Sequence, residues 1–448
     1  MTLGEARELV RSSFLETLPA LDVAPRLRET VRLDSRALHI AGDRYPIPEG
    51  RTVRVISIGK AAVPMAHTLS EILAAVRLRG VVAAPEPPPT PLEAFEYFAG
   101  GHPVPNQQSW QAAESALALL GLQSAQPDDL VLFLISGGGS ALLDKPLPPS
   151  VSLDDLRQFH QVLVASGAPI EDINALRKHL SAVKGGRLAE RAAPAAQVTL
   201  YVSDVPEHLP SAVASGPSMP DETTVEDCLR IAKQYSLLEK LQGPGSRASD
   251  IRSLLESGAL AETPKPGNIC FARSRYHCLL SNSAAVETFA QLLRSQGVRV
   301  EIENGCDGWE YRRAADYLLN QLGRLRREDP SRPSAIVSGG ELSCPVADDS
   351  AGVGGRNQAF ALYCATKIAG KRIAVLSAGT DGVDGNSPAA GALADGSTTG
   401  RAAARKLHPE HFLHRFDSHS FFATLTDAIQ TGPTHTNVRD LRVVLAYG

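Results

Sequence analysis

The sequence predicts an α/β protein of two domains, the first built on a doubly wound, largely parallel sheet. Three observations carry that expectation. Val131-Leu132-Phe133-Leu134-Ile135 is wholly apolar, which suits a strand covered on both faces and is too short for a membrane span. It runs into Ser136-Gly137-Gly138-Gly139-Ser140. The same corner returns at Val337-Ser338-Gly339-Gly340-Glu341 and at Leu376-Ser377-Ala378-Gly379, and without glycines at Val202-Ser203-Asp204. Between such strands lie segments with helical spacing, the alternation that builds parallel sheets.

Taken in order, Ala6, Val10, Phe14 and Leu18 recur at helical spacing and predict a helix over 4–18. Val53–Ile58 is a strand, followed by Gly59-Lys60 and a helix over 63–76. A strand over 80–84 leads into a proline-rich connection at 85–91. A helix over 107–120 precedes the central strand. Ser152 is a suitable N-cap for a helix over 153–166, and 172–180 is helical with Ile173, Leu176 and Leu180 on one face. Val198–Val202 is the next strand. Residues 216–266 read as a looser region, with Gly243-Pro244-Gly245 as the domain boundary, giving domains 1–245 and 246–448. Beyond it, 276–281, 284–296 and 299–303 form a strand, helix and strand that suit one βαβ unit. A helix over 311–325, strands at 335–338 and 373–377 around a helix at 357–368, a helix over 420–429 and a closing strand at 441–446 complete the chain.

Composition is that of a globular protein: 448 residues, 43% hydrophobic and 21% charged, with net charge −4. No run of Lys or Arg exceeds two residues, which argues against nucleic acid as a partner. Anionic ligands must therefore be met by local cations. Six scattered cysteines without a C-x-x-C pair suggest free thiols and a reducing, cytoplasmic setting. The N-terminus lacks the apolar core of a signal peptide, and no stretch of about 18 apolar residues predicts a membrane span.

The glycine corner at 137–139 can converge backbone N–H groups on an anion, because no Cβ blocks the approach. A tight turn without a ligand is the alternative for any one such corner; four of them suggest a polar site made of strand ends. The standard nucleotide signatures fail. Gly352-Val353-Gly354-Gly355-Arg356-Asn357 misses the last glycine of the dinucleotide fingerprint, and Gly59-Lys60 lacks the first glycine and the hydroxyl of a P-loop. Lys60, at a helix start, opposes the helix dipole; it is a snorkelling surface side chain or a point charge held for a carboxylate or phosphate. Arg356 is either a surface-loop arginine or a fork for the same anions. Asp381 and Asp384 among glycines suit an Asp-Gly turn or Mg²⁺, and Asp204 is a further carboxylate. Asp348 and Asp349 read as a solvated turn. His102, His179 and His208 fall near these loops without an assigned role.

Together, Gly59-Lys60-Ala61, Ile135–Leu143, Ile173-Asn174-Ala175-Leu176-Arg177-Lys178-His179-Leu180, Lys184-Gly185-Gly186-Arg187, Ser203-Asp204-Val205, Ala214-Ser215-Gly216-Pro217, Gly339-Gly340-Glu341, Gly354-Gly355-Arg356-Asn357-Gln358 and Ala378–Gly385 resemble the class II glycerate kinases, which carry a C-terminal MOFRL domain. The resemblance runs over nearly the whole chain in the same order. It implies a Rossmann-like N-terminal domain, a distinct C-terminal α/β domain and an active site in the cleft between them. It implies phosphorylation of D-glycerate at the 2-hydroxyl by ATP with Mg²⁺, giving 2-phosphoglycerate. Lys60, Arg356, Asp204 and Asp381 take the catalytic positions, the two acids also serving the metal. Ser136, Gly137, Gly138, Gly139, Ser140, Asn174, Arg177, Lys184, Glu341 and Asn357 are expected to bind nucleotide or substrate. D-Glycerate and ATP are the expected partners, with no nucleic acid or membrane and a homodimer left open. One departure stands out: Glu207-His208-Leu209 replaces the Gly-Asp-Asp usual after Ser203-Asp204-Val205-Pro206. An NAD(P)-dependent hydroxypyruvate or tartronate oxidoreductase, or a kinase of another small hydroxy acid, is the alternative.

Overall fold

A computed structural model describes residues 1–35, 37–121, 126–241, 248–346 and 352–448. Contacts divide the chain into one unit of Val23–Leu279 and another of Met1–Asp22 with Leu280–Gly448. The boundary expected at 245 and the turn expected at Asp348 and Asp349 lie outside the described residues. The contact division falls instead after Asp22 and after Leu279.

In the Val23–Leu279 unit, β1 (Val31–Leu33), β2 (Ala37–Ile40) and β3 (Asp43–Pro46) make a small antiparallel sheet that the periodicity did not announce. The main sheet comprises β4 (Thr52–Ile58), β5 (Arg77–Ala84), β6 (Phe95–Ala99), β7 (Leu130–Ile135), β8 (Ala196–Val202) and β9 (Ser274–Leu280), in the order β6-β5-β4-β7-β8-β9. All pairs from β6 to β8 are parallel. From β4 the chain builds outward through β5 and β6, then returns to build the other way through β7 and β8. This is the doubly wound arrangement, and it opens a crevice where β4 and β7 end. All six residues of β7 are buried, as its apolar sequence requires. Ile56, Val131, Phe133 and Ile135 pack against Ala112, Ala116 and Leu120 of the helix Gln107–Gly121.

Two expectations fail. The region 216–266 holds the helices Val225–Gln234 and Ser249–Ser257. Thr224 and Asp227 form a capping box, and Cys228 and Ile231 bury a face against Phe159 and Leu176. Second, the segment 276–303 is no βαβ unit, because β9 joins the first sheet beside β8 and the next strand joins another.

That second sheet contains β10 (Arg299–Ile302), β11 (Ser334–Ser338), β12 (Ile373–Gly379), β13 (Gly391–Asp395), β14 (Ala428–Ile429) and β15 (Asp440–Ala446), in the order β10-β11-β15-β12-β13-β14. Only β10 and β11 are parallel; β15 runs antiparallel to both β11 and β12. The helix Leu3–Ala20, capped by Thr2 and Glu5, belongs to this unit. Phe14 meets Phe289 edge-on at 6.4 Å, and Arg7 pairs with Asp395 and Asp427. Among the described residues no helix is long and apolar enough to cross a membrane, and all six cysteines are free thiols.

Candidate active site

In the Val23–Leu279 unit the ends of β4 and β7 are tied together by backbone. Lys60 N–H donates to Gly137 O at 2.9 Å, and Ala61 N–H donates to Ser136 Oγ at 3.0 Å. Ser136 Oγ also donates to Ile58 O at 3.2 Å. That buried hydroxyl thus spends its proton and one lone pair inside the protein, where Ser136 holds the corner together. The amides of Gly137, Gly138 and Gly139 have no hydrogen-bond partner among the described residues. Gly138 takes φ +81°, which only glycine adopts at little cost. A Cβ there would stand 3.4 Å from Lys60 Cγ and 3.3 Å from His102 Cδ2, while one on Gly137 would collide with the Asp204 carboxylate. Lys60, Asp204 and His102 therefore surround a short run of open amides at the sheet's order reversal. Among them, only His102 lacked an expected role.

The other expected residues of this unit divide. Ser140 Oγ lies 2.8 Å from Ser215 Oγ, which donates to Asn174 Oδ1 at 3.1 Å, so Ser140 and Asn174 are linked through an unforeseen serine. Arg177 is one turn from Asn174 on the same helix, and its Nε is buried without a hydrogen-bond partner. Lys184 turns inward instead. Its ammonium pairs with Asp144, which also accepts from Ser181 Oγ at 2.8 Å and faces His160 at 3.3 Å. Burial depresses the Lys184 pKa, and although burial opposes ionisation of Asp144 too, Lys184 and His160 hold that carboxyl far below its ordinary range. Lys184 is an internal counter-ion, with 1% of its side chain exposed.

In the other unit, register decides. β15 pairs Asp440 with Gly379 and Arg442 with Ser338 and Ser377, which sets two charged side chains between two corners. Asp440 takes Arg356 in a fork, Nε at 2.7 Å and Nη2 at 3.1 Å, and Glu341 adds a contact to Nη2 at 2.9 Å. Burial works against the Arg356 charge, but Asp440 and Glu341 outweigh it and hold the pKa above its ordinary value. Asp384 receives the amides of Asn357 at 3.0 Å and Gln358 at 2.8 Å, together with both side-chain amides. A carboxylate thus already fills the N-terminus of the helix Arg356–Lys367, and Asn357 belongs to that cap; its Oδ1 also accepts from Ser377 Oγ at 2.6 Å. Burial pushes the Asp384 carboxyl up to about 6 despite those bonds.

The Gly339-Gly340 corner is likewise filled. Its amides donate to Asn304 Oδ1 at 2.9 Å and Asn282 Oδ1 at 2.7 Å, and Glu341 N–H donates to Asp307 Oδ1 at 2.9 Å. Asp381 accepts from Val383 N–H at 3.2 Å near Gly379. Arg356 also lines a cavity of about 390 Å³ walled by Leu342, Val346, Phe412 and Phe416.

Among the described residues no three His, Cys, Asp or Glu side chains are grouped to hold a metal. Mg²⁺ needs only one or two carboxylates when phosphate oxygens and water complete its shell, and Asp204 beside the open amides fits that demand. Asp440, Asn282, Asn304 and Asp307 were missed, and Asp384, expected in an Asp-Gly turn or at Mg²⁺, caps a helix instead. A usable signal existed for Asp440: Asp440 and Arg442 are charged residues in an otherwise apolar closing strand.

A doubly wound sheet with an open amide corner at its order reversal is an arrangement that suits a small anionic ligand. Residues 9–247 match the family described as "Domain of unknown function (DUF4147)", and residues 334–440 match the MOFRL family. A D-glycerate 2-kinase of Thermotoga maritima is 34% identical over 88% of this chain and 90% of its own length. An Agrobacterium vitis protein named "Putative hydroxypyruvate reductase" is 36% identical over 98% and 94%. The crystal structure of a glycerate kinase from Thermotoga maritima superposes with TM-score 0.81 at 32% identity, covering 99% of this chain and 100% of that one. The chain belongs to the glycerate kinase family with a C-terminal MOFRL domain.

Proposed function

We propose that the protein transfers the γ-phosphoryl group of ATP to the 2-hydroxyl of D-glycerate, giving 2-phosphoglycerate and ADP. The observation that carries this reading is the run of amides at Gly137–Gly139, unpartnered among the described residues and flanked by Lys60 and Asp204. Phosphoryl transfer asks little covalent chemistry of a protein; it asks for alignment and for cancellation of negative charge. In this reading the amides cradle anionic oxygens, Lys60 holds one anion and Arg356 faces the moving phosphoryl. Arg356 suits that task because Asp440 and Glu341 fix it beforehand. The bond from phosphorus to the bridging oxygen of ADP breaks as the bond to the C2 oxygen forms, and the hydroxyl proton passes to Asp204 or Asp381. Mg²⁺, when bound, would neutralise phosphate charge; Asp204 would hold it in the Val23–Leu279 unit, and Asp381 is the candidate carboxylate of the other unit.

Phosphorus NMR of a mixture of protein, D-glycerate, ATP and Mg²⁺ tests the reading, with 2-phosphoglycerate expected. A 3-phospho product overturns the regiochemistry, and no phosphorylated acid overturns the kinase. The name of the Agrobacterium relative favours a second reading, reduction of hydroxypyruvate. The absence of a dinucleotide fingerprint weighs against it, and loss of NADH absorbance with hydroxypyruvate would establish it.

A further inference from the structure

Ser136 and Ser140 bracket the same three glycines, yet their hydroxyls are wired differently. Ser136 is spent on both sides, whereas Ser140 has Ser215 Oγ as its one side-chain partner among the described residues. A hydroxyl carries one proton. That of Ser215 goes to the carbonyl oxygen of Asn174, at 3.1 Å, so the proton in the 2.8 Å contact between the serines belongs to Ser140. Ser140, which directly follows the cradle in sequence, consequently has lone pairs, and no proton, left to offer. A phosphate or carboxylate oxygen has nothing to donate to it; a ligand hydroxyl does.

The wiring is rigid. Ser215 is fully buried and sits in a left-handed run, Ala214 at φ +50°, Ser215 at +59° and Gly216 at +60°. Its carbonyl accepts from Gly185 N–H at 3.0 Å and that of Gly216 from Gly186 N–H at 2.8 Å, which pins the run in place. Two non-glycine residues held at positive φ store strain of the kind that collects where a side chain must point one way.

We propose that Ser140 accepts a hydrogen bond from the 3-hydroxyl of D-glycerate, the hydroxyl that is not phosphorylated, and that Ser215 and Asn174 are positioning residues that fix its proton. The assignment rests on the proposed substrate. It favours the acid over the ribose of ATP because Ser140 directly follows the anion cradle. The acid's hydroxyls lie within a few bonds of its carboxylate, while two phosphates separate the ribose from the reacting one.

D-Lactate, which keeps the 2-hydroxyl and lacks the 3-hydroxyl, supplies the test. With a site that hydrogen-bonds a hydroxyl, kcat/KM for D-lactate should fall by about 10²-fold or more against D-glycerate. Ser140→Ala and Ser215→Ala should each shrink that ratio below about 10-fold, through the KM for D-glycerate, with the KM for ATP little changed. Equal losses on both acids, or a rise confined to the KM for ATP, overturn the proposal. Calorimetric binding of the two acids to the unaltered protein gives a second measure that needs neither turnover nor a variant. Equal affinities overturn the Ser140 contact, whereas tighter binding of D-glycerate without phosphorylation would sink the kinase and leave the contact standing.

Discussion

Two corners of this molecule have nearly the same sequence and opposite chemistry. Ser136-Gly137-Gly138-Gly139 ends a strand in the Val23–Leu279 unit, and Ser338-Gly339-Gly340 ends one in the other. Among the described residues the first leaves three amides unpartnered; the second spends its amides on Asn304 and Asn282, and the next one on Asp307. Glycine permits the backbone to converge on an anion, but it does not decide whether the anion comes from outside. Side chains from other segments decide that, and in the second unit they arrive first. The cation of that unit, Arg356, is itself held by carboxylates.

The sharpest way to break this contrast is to remove that cation. Arg356→Ala should lower kcat by at least ~10²-fold, as loss of a charge aimed at a developing oxyanion does; a variant with near-normal kcat would take Arg356 out of the chemistry. Asp440→Ala comes next. Deleting the acid from a buried pair typically costs about 3–5 kcal/mol of stability, because a charge is left uncompensated. Here that charge is Arg442, fully buried 3.5 Å from Asp440, while Arg356 keeps Glu341. The same variant should slow turnover by roughly tenfold or more at temperatures where it stays folded, since the fork that aims Arg356 is gone. Unchanged unfolding in denaturant would show that the fork contributes little.

A matched pair sharpens the comparison itself. Gly137→Ala puts a methyl group into the Asp204 carboxylate at the open corner, and Gly340→Ala puts one 2.6 Å from Asp307 Oδ1 at the filled one, where φ is +78°. The first should raise the KM for ATP more than it lowers Tm, and the second should do the reverse. Identical profiles would erase the distinction. The smallest effect concerns pH. The folded Asp384 carboxyl, up at about 6, holds its proton more tightly than the unfolded chain does near 3.9. Its contribution to stability is therefore present at low pH and is lost as pH rises from about 4 through 6. Asp384→Asn cannot ionise, so the stability of the unaltered protein relative to this variant should decline across that window, followed by thermal unfolding at matched ionic strength.

Much of the first sheet is legible in its residues. The apolar run of β7 and its glycines mark the central strand and the corner, and the spacing of Ala6, Val10 and Phe14 marks the first helix, because burial on two faces or on one stripe leaves a local signature. Pairing partners leave none. Nothing in Tyr276–Leu280 says that it joins β8 rather than a strand of the following sheet. Nothing in Asn282, Asn304 or Asp307 says that they will close a corner tens of residues away. Lys184, expected at the site from the family resemblance, was opaque for a related reason: only the fold reveals the buried Asp144 that claims it. Asp440 was legible in principle, since a carboxylate opening an apolar strand demands a partner.

The helix Leu3–Ala20 finds its packing partner, Phe289 in the helix Asn282–Ser295, only after the whole Val23–Leu279 segment has passed along the chain. At a synthesis rate of ~5–20 residues per second, its apolar stripe of Ala6, Val10 and Phe14 emerges tens of seconds before the surface that will cover it. During that interval the stripe is a ready target for chaperones or for other nascent copies. Conditions that prolong translation should therefore lower the yield of folded protein before they touch its activity.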